Sequence, residues 1–349
     1  MKTFLNEKSF LIIYAPGVFM GGGLVLLRSI LNSIPEHINL TIFLDKRIPK
    51  SFNVPKNSKF FWVNPSIFGR LISEFKLFLY SKKKDKILSF SSLPVLIKNP
   101  GYTMCFQQNL ILLQKTTLNI FSPKKELSFI LKRLFLKFFK MNINEYIVQT
   151  PSMKKALVNF LGNKIKVRII PFIDEPISTI LKDNREVNRN GFIYVADGLE
   201  HKNHHNLLIA WSLLGQDGIR PRLFLTLNES YQNLLFKINE LCQNENLNIY
   251  NVGSVSHDKI FEIYETVEAL IYPSFIESLG LPLVEASQIN LPIIASELDF
   301  VRDICNPSET FDPNSPVSIM RSVKRFINAS DEKIKFYKTV RFLKEVGIE

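Results

Sequence analysis

Glu277 and Glu285 stand eight positions apart in the stretch Pro273-Ser-Phe-Ile-Glu-Ser-Leu-Gly-Leu-Pro-Leu-Val-Glu-Ala286. An ionised carboxylate only accepts hydrogen bonds, so each can hold a hydroxyl. Pro282 suits the first turn of a helix, where its missing N–H has no internal partner to lose. That places Glu277 on a loop and Glu285 about one turn inside the helix. Between them the helix start offers backbone N–H groups, and Gly280 lets a ligand come close to the chain. Such a terminus favours anions, phosphate above all. Two carboxylates flanking a phosphate cradle fit a ligand with hydroxyls at both ends and a diphosphate between them, as in a sugar nucleotide. The bland alternative is a pair of solvated acids near a helix start.

A cation that could complement the diphosphate is Lys202, just beyond the apolar run at 192–195. At the carboxyl end of a buried strand its ammonium can act as a point charge on phosphate; elsewhere it is one surface lysine among many. Gly21, Gly22 and Gly23 follow the first apolar run and read as a glycine turn opening a helix at 24–31. They admit a phosphate to the backbone or make an ordinary tight turn. The Gly-x-Gly-x-x-Gly spacing is absent. His201, His204 and His205 lie within one helical turn, but no fourth ligand is evident and Lys202 among them repels a cation. The chain has no Asp-x-Asp. No metal site and no cofactor are expected.

These residues need a frame. The 349 residues exceed what one core comfortably serves, so two domains are expected. An apolar content of 46% excludes general disorder. Cys105, Cys242 and Cys305 form neither a disulfide framework nor a metal spacing, which points to a reducing cytoplasm. Lys2 ahead of the apolar run at 10–14 imitates a signal peptide, but Glu7, Lys8 and Pro16 argue against one. No run reaches the ~18 apolar residues of a spanning helix.

Short apolar runs at 10–14, 40–44, 60–63, 87–90, 102–106 and 146–149 read as buried parallel strands, several separated by helical stretches. The polar stretch 174–190 breaks the pattern. Strands at 192–195, 222–227, 248–252, 269–272 and 292–295 then alternate with helices at 203–214, 230–242, 257–264 and 282–288. The fold class is α/β, with two doubly wound domains facing a cleft: 1–173, a linker at 174–190, and 191–328. Residues 317–346 read as one or two basic helices, the segment 329–349 turning back toward the first domain.

The formal charge of +12 attracts polyanions without choosing among them. No basic recognition helix or aromatic RNA motif is present, so nucleic acid is not an expected partner. Residues 122–141 carry one apolar stripe, Leu127, Ile130, Leu131, Leu134 and Phe138. The opposite face holds Lys125, Lys132, Arg133, Lys137 and Lys140, with Phe129 and Leu136 among them. The stripe predicts packing onto the sheet; the basic face with its two apolar residues suits an anionic membrane surface.

Residues 145–305 resemble glycosyltransferase family 4, the retaining transferases of GT-B architecture. The likeness sits in Phe192-Ile-Tyr-Val195 with His201-Lys202-Asn203, in Asn251-Val-Gly253 with Val255-Ser-His257, in Pro273 to Ala286, and in Leu291-Pro-Ile-Ile-Ala-Ser296. Residues 147–153 and 168–172 resemble segments near the domain crossover. The sequence most resembles bacterial enzymes that build lipopolysaccharide O-antigen or capsule. The resemblance implies a Rossmann-like acceptor domain at 1–173 and a nucleotide-sugar donor domain at 191–328. It implies that Lys202 binds the donor diphosphate, Glu277 the donor sugar and Glu285 the ribose. Gly253, Val255, Ser278, Gly280 and Leu281 would meet the nucleotide and phosphates; Gly22 and Gly23 are added to the donor site on the glycine-turn argument above. The acceptor would be a glycan or a polyprenyl-diphosphate-linked sugar, used by an enzyme in the cytoplasm or on the inner membrane face. Two departures stand out. Asp197 occupies the place of a common arginine. Gln108 and Asn109 lie where many members carry a histidine, and could only hydrogen-bond an acceptor-side sugar. An epimerase or hydrolase of the same architecture is the alternative enzyme; a basic nucleic-acid- or membrane-binding protein is the alternative without catalysis.

Overall fold

A computed structural model describes residues 10–49, 52, 55, 58–114, 121–173 and 189–328. Residues 174–188 of the linker expected at 174–190, and the closing segment 329–349, lie outside the described residues.

Among the described residues the chain forms two all-parallel sheets. The first orders seven strands as β3-β2-β1-β4-β5-β6-β7. They are β1 (Phe10–Ala15), β2 (Asn39–Asp45), β3 (Ser58–Val63), β4 (Lys86–Ser89), β5 (Tyr102–Phe106), β6 (Glu145–Val148) and β7 (Val167–Ile169). The second orders six as β10-β9-β8-β11-β12-β13. They are β8 (Phe192–Tyr194), β9 (Leu223–Leu225), β10 (Ile249–Asn251), β11 (Ala269–Tyr272), β12 (Ile293–Ser296) and β13 (Glu309–Phe311). Central strands such as Ala-Leu-Ile-Tyr of β11 are buried on both faces, which is why they are apolar without alternation. β7 and β13, short and partly polar, are not among the strands anticipated from the apolar runs.

The helices are α1 (Gly21–Ser33), α2 (Ile67–Tyr80), α3 (Pro123–Phe139), α4 (Pro151–Leu161), α5 (His204–Gln216), α6 (Gln232–Glu245), α7 (His257–Thr266), α8 (Leu281–Gln288), α9 (Asp299–Arg302) and α10 (Pro316–Phe326). Several start on recognisable chemistry. Thr150 accepts from the Met153 N–H ahead of Pro151, and Ser315 accepts from the Ser318 N–H ahead of Pro316. The three glycines at 21–23 form the first turn of α1 itself rather than a turn before it. None of the described helices is long and apolar enough to cross a membrane.

Both sheets run outward in two directions from a central pair, β1/β4 in the first and β8/β11 in the second. The loops after such a pair diverge to opposite faces and leave a crevice at the strand ends. The domains touch directly. Phe275 and Ile276 of the second domain pack into the first domain's core, and Leu281 does so beside α1. The Ser152 N–H donates to Asp303 Oδ2 at 2.8 Å, and Lys125 pairs with Glu200 at 2.5 Å.

Helix α3 overturns one expectation. Its stripe does not pack on the sheet. Leu127, Leu131 and Phe138 are 58%, 59% and 79% exposed, and Ile130 and Leu134 are exposed too. Leu136, placed by the sequence among the charges, is fully buried. It joins Leu110 and Leu113 in the core. Arg133 beside it turns inward and donates to the carbonyls of Ile111, Leu112 and Gln114. An arginine with three carbonyl partners can lie against the body of the protein. That frees the leucine stripe to face out.

Candidate functional site

The crevice between the domains is a cleft of about 440 Å³, entered from both sheets at their strand ends. The chain leaving each strand of the second central pair carries charged residues into it, and two of them pair. After β8 the chain passes through a short turn at Glu200–Lys202 and delivers Lys202. After β11 a loop delivers Glu277. The two meet: Lys202 Nζ donates to Glu277 Oε1 at 2.6 Å. Residues 75 positions apart are joined because their strands are neighbours at the switch point.

Glu277 is also held by the Tyr272 hydroxyl, which donates to the same oxygen at 3.0 Å. Burial pushes the carboxyl up, but the Lys202 ammonium and its hydrogen bond outweigh that and hold it below the ordinary range. Burial, reinforced by the charge on Glu277, drives the Tyr272 phenol well above its usual value, so it stays a donor. Tyr194 lies beneath the pair, donating to the Lys202 carbonyl at 2.6 Å. This scaffolding fixes the ammonium and the carboxylate as a unit. A ligand therefore meets a preformed ion pair, not two separate side chains.

Gly280 precedes α8 with φ +72°, a left-handed conformation natural to glycine. A Cβ there would meet Leu283 Cδ1 at 3.1 Å and the Tyr272 hydroxyl at 3.3 Å. Pro282 has no N–H, and the Leu283 and Val284 N–H groups return to the Gly280 carbonyl. The amides this helix start can offer a ligand are thus those at and before Leu281. A second helix start faces it. The glycines of α1 come so close that a Cβ on Gly22 would lie 3.2 Å from the Leu281 side chain. A Cβ on Gly23 would lie 3.1 Å from Gln108 Oε1. Two positive helix ends, one from each domain, flank the cleft. Glu285, one turn into α8, accepts from the Tyr264 hydroxyl at 3.1 Å and also lines the cleft.

Of the residues singled out by sequence, Gly22, Gly23, Gln108, Lys202 and Val255 line this cleft, as do Glu277, Ser278, Gly280, Leu281 and Glu285. Gly253 and Asn109 are not among its lining residues. Asn109 is committed elsewhere: its Oδ1 accepts from the Leu112 N–H. Gln108 keeps a buried side-chain nitrogen without a hydrogen-bond partner. The histidines part company. His204 is buried against Tyr194, ring centroids 4.8 Å apart, with neither ring nitrogen bonded. Burial and then Lys202 drive its pKa down to about 3. Burial and then Lys202 also lower His201. Among the described residues no cluster of three metal-ligating side chains occurs.

Tyr272, Gln149, Thr226 and Asp197 also line the cleft. Tyr272 and Thr226 were hidden because each belongs to or follows an apolar strand. Asp197 brings a negative charge to the rim, 3.9 Å from where a Cβ on Gly21 would stand.

Residues 177–341 match the family model described as "Glycosyl transferases group 1". A 143-residue stretch is 26% identical to the serotype-specific mannosyltransferase WbdA of Escherichia coli; it covers 39% of this chain and 17% of that protein. Among solved structures, sucrose-phosphate synthase from Thermosynechococcus elongatus superposes with a TM-score of 0.69 at 16% identity, covering 92% of this chain and 90% of that one. Anabaena Alr3699/HepE, solved with UDP and glucose, gives 0.65 at 14% identity, covering 91% and 90%. The lipopolysaccharide outer core galactosyltransferase WaaB gives 0.62 at 15% identity, covering 92% and 90%. The architecture is GT-B.

Proposed function

We propose that this chain is a retaining hexosyltransferase that moves a sugar from a nucleotide-diphosphate sugar to a glycan or polyprenyl-diphosphate-linked acceptor in bacterial surface-polysaccharide synthesis. The observation that carries the reading is the joined set in the cleft: an ammonium paired with a carboxylate, a glycine-led helix start, and a second carboxylate one turn further on. Breaking a glycosyl–phosphate bond builds negative charge on the departing diphosphate. Fixed positive groups stabilise that charge without reorganising. Lys202 and the amides at 278–281 fill this role, with the α1 terminus facing them. Glu277 takes donor-sugar hydroxyls through the oxygen that Lys202 and Tyr272 do not occupy. It serves as a hydroxyl-binding group and not as a nucleophile, because a carboxylate held by an ammonium and a phenol is a poor attacking group. Glu285 takes the ribose hydroxyls, and Gln108 supplies its unbonded amide nitrogen to a sugar on the other wall. Matches to a mannosyltransferase and to a structure holding UDP and glucose support a nucleotide-sugar donor.

The same reading puts the enzyme in the cytoplasm, peripheral to the inner membrane face. Residues 67–86 and 123–140 hold twelve basic against three acidic residues, a surplus of nine within a chain of net charge +12. Such a concentration draws the domain to anionic lipid.

The experiment is a thermal-shift screen of uridine, guanosine and thymidine diphosphate sugars, followed by turnover with and without acceptor. A ligand at 100 times its Kd adds about 2.7 kcal/mol of stability, a shift of several degrees. Sugar release that requires an acceptor supports transfer. Product formed equally well without one would replace it with a hydrolase or epimerase. No shift with any of these donors would remove the reading.

A further inference from the structure

The outward stripe of α3 does not stand alone. Helix α2 is likewise turned inside out: Ile67 and Phe68 are 81% and 77% exposed, and Ile72, Phe75 and Leu79 are exposed as well. What α2 buries is Ser73, Glu74 and Leu77. Between the two helices lies a groove of about 630 Å³ whose walls are Leu71, Leu127, Leu131 and Phe135, with Leu93 and Leu96 behind them. Arg70 crosses its floor, the guanidinium 5.6 Å over the Phe135 ring and 3.6 Å from Glu74. Its rim carries Lys124 and Lys132. Exposed apolar surface on this scale marks an interaction site.

We propose that this groove seats the hydrocarbon chain of the lipid-linked acceptor, with the acceptor's phosphate against Lys124 and Lys132. Three observations select this occupant. The walls are aliphatic and aromatic while the rim is cationic, which complements a lipid with an anionic head. A second copy of the chain packed on it about a two-fold axis would set Lys124 and Lys132 against basic surface of its own kind. The groove is also connected to the turn that delivers Lys202. Lys124 lines it, the next residue, Lys125, pairs with Glu200, and Glu200 lies in the short turn that delivers Lys202. A chain held here carries its phosphate-linked sugar toward the Lys202–Glu277 pair. This assignment rests on the transferase reading for the word acceptor; the groove's taste for a hydrocarbon chain does not.

The test is calorimetric titration of the full chain with farnesyl diphosphate, kept below its critical micelle concentration, and with inorganic diphosphate. Ser128→Trp would plug the groove, and the double change Leu71→Gln with Leu131→Gln would make its walls polar. All three positions are at least partly exposed, so the fold should survive; circular dichroism and the donor-sugar thermal shift check this. Farnesyl diphosphate is expected to bind one per chain, at least tenfold tighter than inorganic diphosphate. Both variants should bring it down to the inorganic level. Equal affinity for the two ligands overturns the proposal, as does wild-type farnesyl diphosphate binding in both folded variants. A wild-type dimer in sedimentation velocity that Leu131→Gln dissolves would give the groove to a second copy and overturn it too. Groove-dependent farnesyl binding without any donor-sugar shift would refute the transferase reading and leave the chain site standing.

Discussion

Replacing Lys202 by methionine keeps the aliphatic stem and deletes the charge. The ammonium lies 2.6 Å from Glu277 Oε1, with the two side chains only 16% and 10% exposed. At an effective dielectric of about 20 the gross attraction at that separation is about 6 kcal/mol. Desolvation of both ions offsets much of this. Removing only one partner, however, leaves the other charge in a place dried for a pair, at a net loss of about 3–5 kcal/mol at neutral pH. The pH dependence identifies the cause. In the wild type Glu277 is held below its ordinary value of 4.5 by Lys202, against the pull of burial. Its contribution is therefore complete above about 4.5 and lost as pH falls through the folded value. Without Lys202 burial dominates and the folded value rises above 4.5. The variant's carboxyl then stabilises when protonated, and that stability is lost as pH rises through the raised value. The gap between variant and wild type should be widest at pH 7 and shrink at pH 4. Urea denaturation of both proteins at the two pH values measures it. Turnover of the folded variant at pH 7 should fall roughly 10²–10³-fold, the loss typical of removing one fixed donor at a developing oxyanion. A stability gap equal at both pH values, or wider in acid, would refute the pairing argument. Turnover within tenfold of wild type would refute the role at the diphosphate.

His204, buried neutral with a pKa of about 3, should make the protein acid-sensitive well above the carboxylate range. The unfolded chain takes up a proton near 6.5 that the folded one refuses, so stability falls below that pH, by about 2 kcal/mol at pH 5. His204→Phe, which keeps a ring against Tyr194, should flatten the difference between urea midpoints at pH 7.5 and 5; an unchanged difference would sink the assignment. Gly280→Ala forces a side chain into a left-handed residue and toward Leu283 and Tyr272. It should lower stability by about 1–2 kcal/mol and weaken donor binding, and a melting point unchanged within error would contradict that. Leu136→Ala should destabilise by about 2–5 kcal/mol while Leu131→Ala stays within about 0.5, as read from denaturant midpoints; the reverse order would return the leucine stripe of α3 to the core. Because Lys202 and two helix ends supply the positive charge, EDTA should leave the transfer rate unchanged, and a rate that collapses and is restored by magnesium would move the charge neutralisation elsewhere.

The second domain was legible because its signals are local and agree with one another. Apolar runs bounded by polar turns located its central strands. The chain around Pro282 located α8, and the position of Lys202 at a strand end anticipated its place in the cleft. What no window of sequence contains is the pairing of Lys202 with Glu277, which exists because β8 and β11 are neighbours in the sheet. Nor does any window show that Gly22 and Leu281 approach across the cleft from two domains. The reading of α3 failed for a different reason. Helical periodicity shows that an apolar face exists, but not which surroundings receive it. The arginine was the misleading residue: Arg133 looked like solvent-facing charge, yet three backbone carbonyls satisfy it against the protein. With Arg133 and Leu136 turned in, the helix has no second apolar surface to bury, and its leucines join those of α2 outside. Two adjacent helices that each spend their apolar face on the surface make a consistent pattern, not two accidents. Apolar faces left on the surface add nothing to the stability of the domain, which is why a ligand is proposed for them.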